Sequence, residues 1–212
     1  MIEIEKLRVG DYSVNCYIVH EAGRKDCVLV DPGYEPERIL QHLAEENLTP
    51  VAILLTHAHF DHIGGVCPIV AATGVPVYLG PNATNLPDWL MRGYALPGED
   101  EEKRKNRKLL PEELHVLREG DKISLAGIEF SVLETPGHAV GSLCCLCGDN
   151  MLSGDTLFCG TYGRTDLPGG SPIDMARSLA KLKALPGDYN VYPGHGEITT
   201  LARERDTNPG MA

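Results

Sequence analysis

Residues 54–65 read "LLTHAHFDHIGG" and overlap the end of an apolar run, "VAILLT", at 51–56. The run is rich in strand formers, as expected of a strand covered on both faces. Directly after it come His57, His59, Asp61 and His62. In extended backbone, residues i and i+2 project to the same side, so a strand end leading into a tight loop can aim such a set at one point. Imidazole nitrogen and carboxylate oxygen are the ligands of zinc, iron and manganese. Buried without a metal, each of these groups would require its own polar partner. The stretch therefore predicts a buried strand that ends at a metal centre.

Three more polar residues follow apolar, strand-like runs and sit beside glycine: His138 in "LETPGHAVGS", Asp155 in "LSGDTLF" and His195 in "VYPGHGE". Glycine allows sharp turns and close backbone approach, which a converging site requires. His20, His42 and His115 lack this context and read as surface or strand-end residues.

Working outward, residues 2–8, 14–20 and 27–31 read as short strands, and 36–47 as a helix with apolar spacing at 39, 40 and 43. A second helix is expected over 64–74 and a further strand at "PVYLG". Residues 82–112 combine an apolar part, including Trp89, Met91 and Tyr94, with the charged run "EDEEKRKNRK". They read as a helical excursion, serving as a lid over the site or as a subunit contact. Four strand candidates follow over 122–156, then a helix over 171–185 with Ser171 as its cap and Pro172 in its first turn. "YNVYPGHGE" reads as a strand leading into a loop, and "TTLARERD" as a last helix. Two strand groups, each closed by helices, predict a single α/β domain over 1–212, with two sheets face to face and helices outside.

Composition narrows the functional classes. The 212 residues are 42% hydrophobic and 23% charged, and no apolar run approaches the ~18 residues of a membrane span. A net charge of -11 argues against a nucleic-acid partner, since phosphate binding depends on Lys and Arg. The N-terminus alternates apolar and charged residues and does not read as a secretion signal, so a cytoplasmic location is expected. Seven cysteines, an odd number lying mostly in apolar runs, read as reduced core thiols. "CCLC" at 144–147 lacks the spacing of a metal knuckle.

"THAHFDH", "PGH", "GDTLF" and "PGHG", in that order between residues 56 and 196, resemble the metallo-β-lactamase fold hydrolases, and within them the glyoxalase II-like branch. The resemblance implies a four-layer αββα sandwich. It places His57, His59 and His138 on one divalent ion, and Asp61, His62 and His195 on a second, with Asp155 bridging. Zinc is the first expectation for both ions, with iron or manganese as alternatives. Hydroxide held between two such ions would attack a carbonyl carbon, and Asp61 could also orient it or move its proton. No serine sits in a G-x-S-x-G setting, so no covalent intermediate is invoked. Asp31 in "VLVDPG" is either an Asx turn before Pro32 or the acceptor of a ligand histidine's second N–H; the family's "VDPG" favours the latter.

The glycine-rich loop "GTYGRTDLPGG" at 160–170 is expected to border the site, with Tyr162 and Arg164 as candidate substrate contacts. Longer glyoxalase II enzymes offer a lysine here and a tyrosine two residues on. This chain has Arg164 and then Asp166, a pair that can instead order the loop through its own ion pair. Those enzymes also carry a helical glutathione-binding region after the last histidine ligand, so the similarity is to the short bacterial form. The implied substrate is a small thioester or related acyl compound. Two other readings remain: an oxygenase like the persulfide dioxygenases, with one iron on His57, His138 and Asp155, or a metal-binding protein without turnover.

Overall fold

Alternation along the strands sorts the apolar residues into three layers. In the computed structural model, which describes residues 1–81 and 114–212, β1 (Ile2–Val9), β2 (Val14–Glu21) and β3 (Asp26–Val30) form an antiparallel meander. β4 (Thr49–Leu54), β5 (Val77–Leu79) and β6 (Leu114–Val116) extend it in parallel, giving a six-stranded sheet in sequence order. Helices α1 (Pro36–Glu45) and α3 (Val66–Thr73) pack on its outer face, with a one-turn helix, α2 (Phe60–Ile63), between β4 and α3.

β7 (Lys122–Leu125) and β8 (Ile128–Glu134) form a hairpin whose two turn residues, Ala126 and Gly127, have φ of 50° and 77°. Positive φ at both positions matches the twist of the paired strands. β9 (Leu143–Cys147), β10 (Asn150–Gly154), β13 (Asn190–Pro193) and β14 (Thr199–Thr200) complete the second sheet, ordered β14-β13-β10-β9-β8-β7. Its outer face carries α4 (Pro172–Lys183) and α5 (Leu201–Thr207). Ser171 Oγ accepts a hydrogen bond from the Asp174 N–H at 3.2 Å, the cap expected from the sequence.

Period-two alternation explains the packing. Cys16 and Ile18 of β2, and Cys27 and Leu29 of β3, face α1 and α3. Tyr17, Val19, Val28 and Val30 face the second sheet, where they meet Phe130, Val132, Leu143 and Leu152. Cys144, Met151 and Val191 face Met175, Leu179 and Leu182 of α4. Helix, sheet, sheet and helix are thus the four layers expected. "CCLC" is divided by the same alternation, with Cys144 in one layer and Cys145 and Cys147 in another, so no single ion could collect them. Burial pushes the Cys144 thiol up to about 11 and the Cys147 thiol up to about 12.

The expected excursion over 82–112, with its lid and contact readings, lies outside the described residues. β6, α2, β14 and a small hairpin of β11 (Leu157–Phe158) and β12 (Thr161–Tyr162) are additions to the sequence reading. Each has four residues or fewer, too few for a periodic signal.

Candidate metal centre

Strand direction gathers the site. β3 and β4 are parallel, as are β10 and β13, while β8 runs with β10 because both are antiparallel to β9. Asp31 follows β3, His57 follows β4, His138 follows β8, Asp155 follows β10 and His195 follows β13. Residues just past these carboxyl ends therefore meet at one edge of the sandwich.

Backbone hydrogen bonds join the sheets at that edge, from Leu143 N–H to the Thr56 carbonyl at 2.7 Å and from Asn15 N–H to the Gly194 carbonyl at 2.8 Å. The Pro193 carbonyl accepts from Tyr17 Oη at 2.7 Å and from Asn15 Nδ2 at 2.9 Å, both buried. The strand that delivers His195 is thereby anchored to β2.

Local structure then divides the "HAHFDH" residues. His59 is extended (φ -71°, ψ 147°) and immediately precedes α2, so the chain turns into the helix and presents Asp61 and His62 from it. This departs from a purely extended segment. The turn is possible because Gly33 has no side chain: a Cβ there would lie 1.7 Å from the Asp61 carbonyl oxygen.

Two groups of three result. His57, His59 and His138 hold one ligand atom each within 4.8 Å of one another, and so do Asp61, His62 and His195. Asp155 lies between them, its Oδ2 3.4 Å from His138 Nε2 and 3.5 Å from His195 Nε2, and its Oδ1 3.5 Å from His62 Nε2.

Most of the imidazoles have their outer nitrogen tied down. His138 Nδ1–H donates to the Arg164 carbonyl at 2.8 Å, His195 Nδ1–H to the Tyr12 carbonyl at 3.1 Å, and His62 Nδ1–H to Asp31 Oδ2 at 2.9 Å. His57 Nδ1–H reaches Thr56 Oγ1 at 3.1 Å, and that hydroxyl donates onward to Asp31 Oδ2 at 2.5 Å. Each of these four rings therefore points Nε2 inward, the nitrogen left to face a metal. His59 differs, presenting Nδ1 2.8 Å from His138 Nε2.

Two observations test whether a cation fits. Among the described residues, His57 Nε2 and Asp155 Oδ1 are buried with no hydrogen-bond partner, a costly arrangement unless something else satisfies them. The local field also favours a cation at one end of the site. Burial pushes His62 down, but Asp155, Asp31 and Asp61 outweigh it and raise its pKa to about 9. At the other end, burial and the neighbouring imidazoles hold His57 far below its ordinary value and His59 at about 4, so both are neutral and open to a metal. Burial would raise Asp61; the hydrogen bond from His195 and the charge of His62 more than reverse this, and it stays ionised. N and O donors of this kind fit divalent metal.

Asp31 also falls in a possible ligand group with His57 and His62, but its oxygens are already engaged. Oδ1 accepts from the Thr56 N–H at 2.8 Å, and Oδ2 accepts from Thr56 Oγ1 and His62 Nδ1. Its φ of 49° is one that Asn also tolerates. Asp31→Asn is therefore expected to keep the fold while weakening metal affinity about 10–100-fold, as read by chelator competition. Unchanged affinity would assign Asp31 to the turn alone.

The centre floors a cavity of about 790 Å³ whose walls are Tyr12, Phe60, Phe158, Leu167 and Pro168, with Arg164 at one side. Tyr12 and Phe60 meet edge to face with centroids 5.2 Å apart. Tyr162 is not part of this wall. It pairs with Leu157 across the β11–β12 hairpin, on the face packed toward α4, and borders a separate depression with Met175 and Leu179. Alternation in the hairpin gives the cavity Phe158 instead. The sequence reading missed Thr56, Tyr12, Phe60 and Phe158. Thr56 and Phe60 lie within "THAHFDH" and Phe158 within "GDTLF", so their motifs carried a signal; Tyr12 had none.

Residues 9–195 match the model of the metallo-beta-lactamase superfamily. The chain belongs to that superfamily. It is 32% identical over 217 residues to the hydroxyacylglutathione hydrolase GloC of Haemophilus influenzae, a match covering 98% of this chain and 97% of that protein. The crystal structure of TTHA1623 in a di-iron-bound form is similar with a TM-score of 0.80 and 41% identity, covering 97% of this chain and 98% of the other. That of the BLEG-1 B3 metallo-beta-lactamase is similar with a TM-score of 0.82 and 34% identity, covering 99% and 100%. As a metallo-beta-lactamase superfamily member, the chain is a metal-dependent hydrolase whose His and Asp groups can bind metal.

Proposed function

We propose that the protein hydrolyses a small thioester, of the hydroxyacylglutathione type, at a centre of two divalent ions, zinc first and iron or manganese next. One observation carries this reading: a trio of histidines and an Asp/His/His trio lie on either side of Asp155 on the floor of a cavity whose walls are mainly apolar. His57, His59 and His138 would hold one ion and Asp61, His62 and His195 the other, with Asp155 reaching both. Two such ions supply Lewis acidity toward a carbonyl oxygen and toward a water.

The chain's own residues do the rest. Asp31, Thr56 and the carbonyls of Tyr12 and Arg164 fix the imidazoles, so the centre needs little rearrangement when it forms. Asp61 lines the cavity as a carboxylate, where it can orient an attacking water and accept its proton. Tyr12, Phe60 and Phe158 offer an apolar wall to the acyl compound. The described lining residues include no serine, threonine, lysine or cysteine, which favours water as the nucleophile. The buried thiols suit a reducing compartment such as the cytoplasm.

Metal analysis and a thioester assay test the proposal together. The expected result is two ions per chain and hydrolysis of S-lactoylglutathione. One iron per chain, with oxygen uptake on glutathione persulfide, would overturn it.

A further inference from the structure

Among the described residues the buried carboxyl groups are Asp31, Asp61, Asp155 and Glu204. The three aspartates belong to the metal centre; Glu204, on α5 and with no surface exposed, does not. A carboxyl enclosed in this way is costly unless hydrogen bonds satisfy it. Its partners are uncharged: Oε1 accepts from Thr199 Oγ1 at 2.6 Å, and Oε2 accepts from the Gly160 N–H and from Asn208 Nδ2, each at 2.8 Å. Gly160 lies at the tip of the β11–β12 hairpin, 44 residues away along the chain.

Asn208 extends the grip. Its Nδ2 donates to the Thr161 carbonyl at 2.8 Å and lies 3.3 Å from the Phe158 carbonyl. Its Oδ1 accepts from the Gly210 N–H at 3.0 Å, and Tyr162 packs on Gly210, where a Cβ would fall 2.3 Å from Tyr162 Cδ1. A hairpin of two-residue strands does not hold itself in water, so these contacts decide where its tip lies. The Phe158 ring, carried by that tip, stands edge to face with His195, centroids 6.2 Å apart, and lines the cavity. We infer that Glu204 is a positioning residue: through the hairpin tip it sets the Phe158 ring in the cavity wall, and thereby the fit of the substrate's acyl portion. The last step rests on the proposed function, whereas the placement of Phe158 does not.

An apolar side chain at 204 would fill the same space without the desolvation cost. What the carboxyl adds is a fixed acceptor for the turn's backbone. Gln can reproduce it, since its amide oxygen accepts from Gly160 and Asn208 while its Nε2 donates to the rotatable Thr199 hydroxyl. Met fills the volume and offers no such acceptor.

Fluorine NMR tests the placement without substrate. The chain has three phenylalanines, Phe60, Phe130 and Phe158, so para-fluorophenylalanine labelling gives three resonances, and Phe158→Leu identifies the one of interest. Glu204→Met is expected to shift or broaden the Phe158 resonance and leave that of Phe130, buried in the core, in place; Glu204→Gln should restore the wild-type spectrum. Cys159, the half-buried thiol at the tip, should react with dithionitrobenzoate about tenfold faster in Glu204→Met, while the six buried thiols stay protected. With S-lactoylglutathione, Glu204→Met should raise KM about threefold to tenfold at nearly constant kcat, and should add nothing to KM in a Phe158→Leu background. Should Glu204→Met not fold, Thr199→Val, which removes one of the donors, should move the same signals less. An unmoved Phe158 resonance, a shift that Gln does not reverse, or a fall in kcat alone would overturn the inference. Absence of thioester turnover in wild type would count against the proposed function only, because the resonance reports Phe158 by itself.

Discussion

Asp155→Ala is expected to lower kcat/KM for S-lactoylglutathione by about 10³-fold or more, and to leave the chain with at most one tightly held ion. The reason is position. Asp155 is the carboxylate within 3.5 Å of His62, His138 and His195, so its loss removes a donor from both trios at once. The variant should also lose the increase in melting temperature that bound metal gives wild type. Metal content, kinetics and two melting curves check this. Two retained ions with full activity would exclude Asp155 as the shared ligand.

The second large effect is expected from a residue that coordinates nothing. A Cβ on Gly194 would lie 2.2 Å from Asp155 Oδ1 and 2.7 Å from His62 Cε1. The backbone cannot withdraw, because Gly194 N–H donates to the Gly154 carbonyl at 2.9 Å and its own carbonyl accepts from Asn15 N–H. Gly194→Ala must therefore displace the two side chains. The expected result is about 1–3 kcal/mol of destabilisation from overpacking and a loss of about 10²-fold or more in activity. Gly196→Ala is the matched control. That glycine has φ of 77°, but a Cβ there would have nothing within 4 Å, so the variant should lose some stability and keep metal affinity. Equal activity losses in the two variants would point to a general loop effect.

The layered fold was legible because the hydrophobic pattern is locally consistent. "VAILLT" reads as a strand covered on both faces, and the helix over 171–185 declares its cap and its first-turn proline. Most of the residues the structure brings together at the centre were legible for a related reason: His57, His138, Asp155 and His195 come just after apolar strands, and strand direction determines where such residues collect. What sequence did not disclose is set by contacts between distant segments. Tyr12 reaches the cavity only because the β1–β2 turn lies beside α2. Thr56 becomes a relay only because Asp31 arrives from the neighbouring strand. Tyr162 was placed by proximity to Arg164 along the chain, whereas a two-residue strand was enough to turn it to the opposite face.

The cavity wall has one further consequence, for how such a protein can change. Tyr12, Phe60, Phe158, Leu167 and Pro168 all lie outside the two six-stranded sheets, on turns, a one-turn helix and a two-residue strand. Most of the candidate metal-binding residues, by contrast, follow the ends of strands whose register the whole core enforces, while Asp61 and His62 share α2 with Phe60. Phe60 apart, preference and chemistry therefore sit on separately mutable parts, and a different substrate can be accommodated by altering a few rim side chains while the metal-binding floor stays in place. That separation gives a physical basis for one scaffold serving proteins named as a hydroxyacylglutathione hydrolase and as a B3 metallo-beta-lactamase.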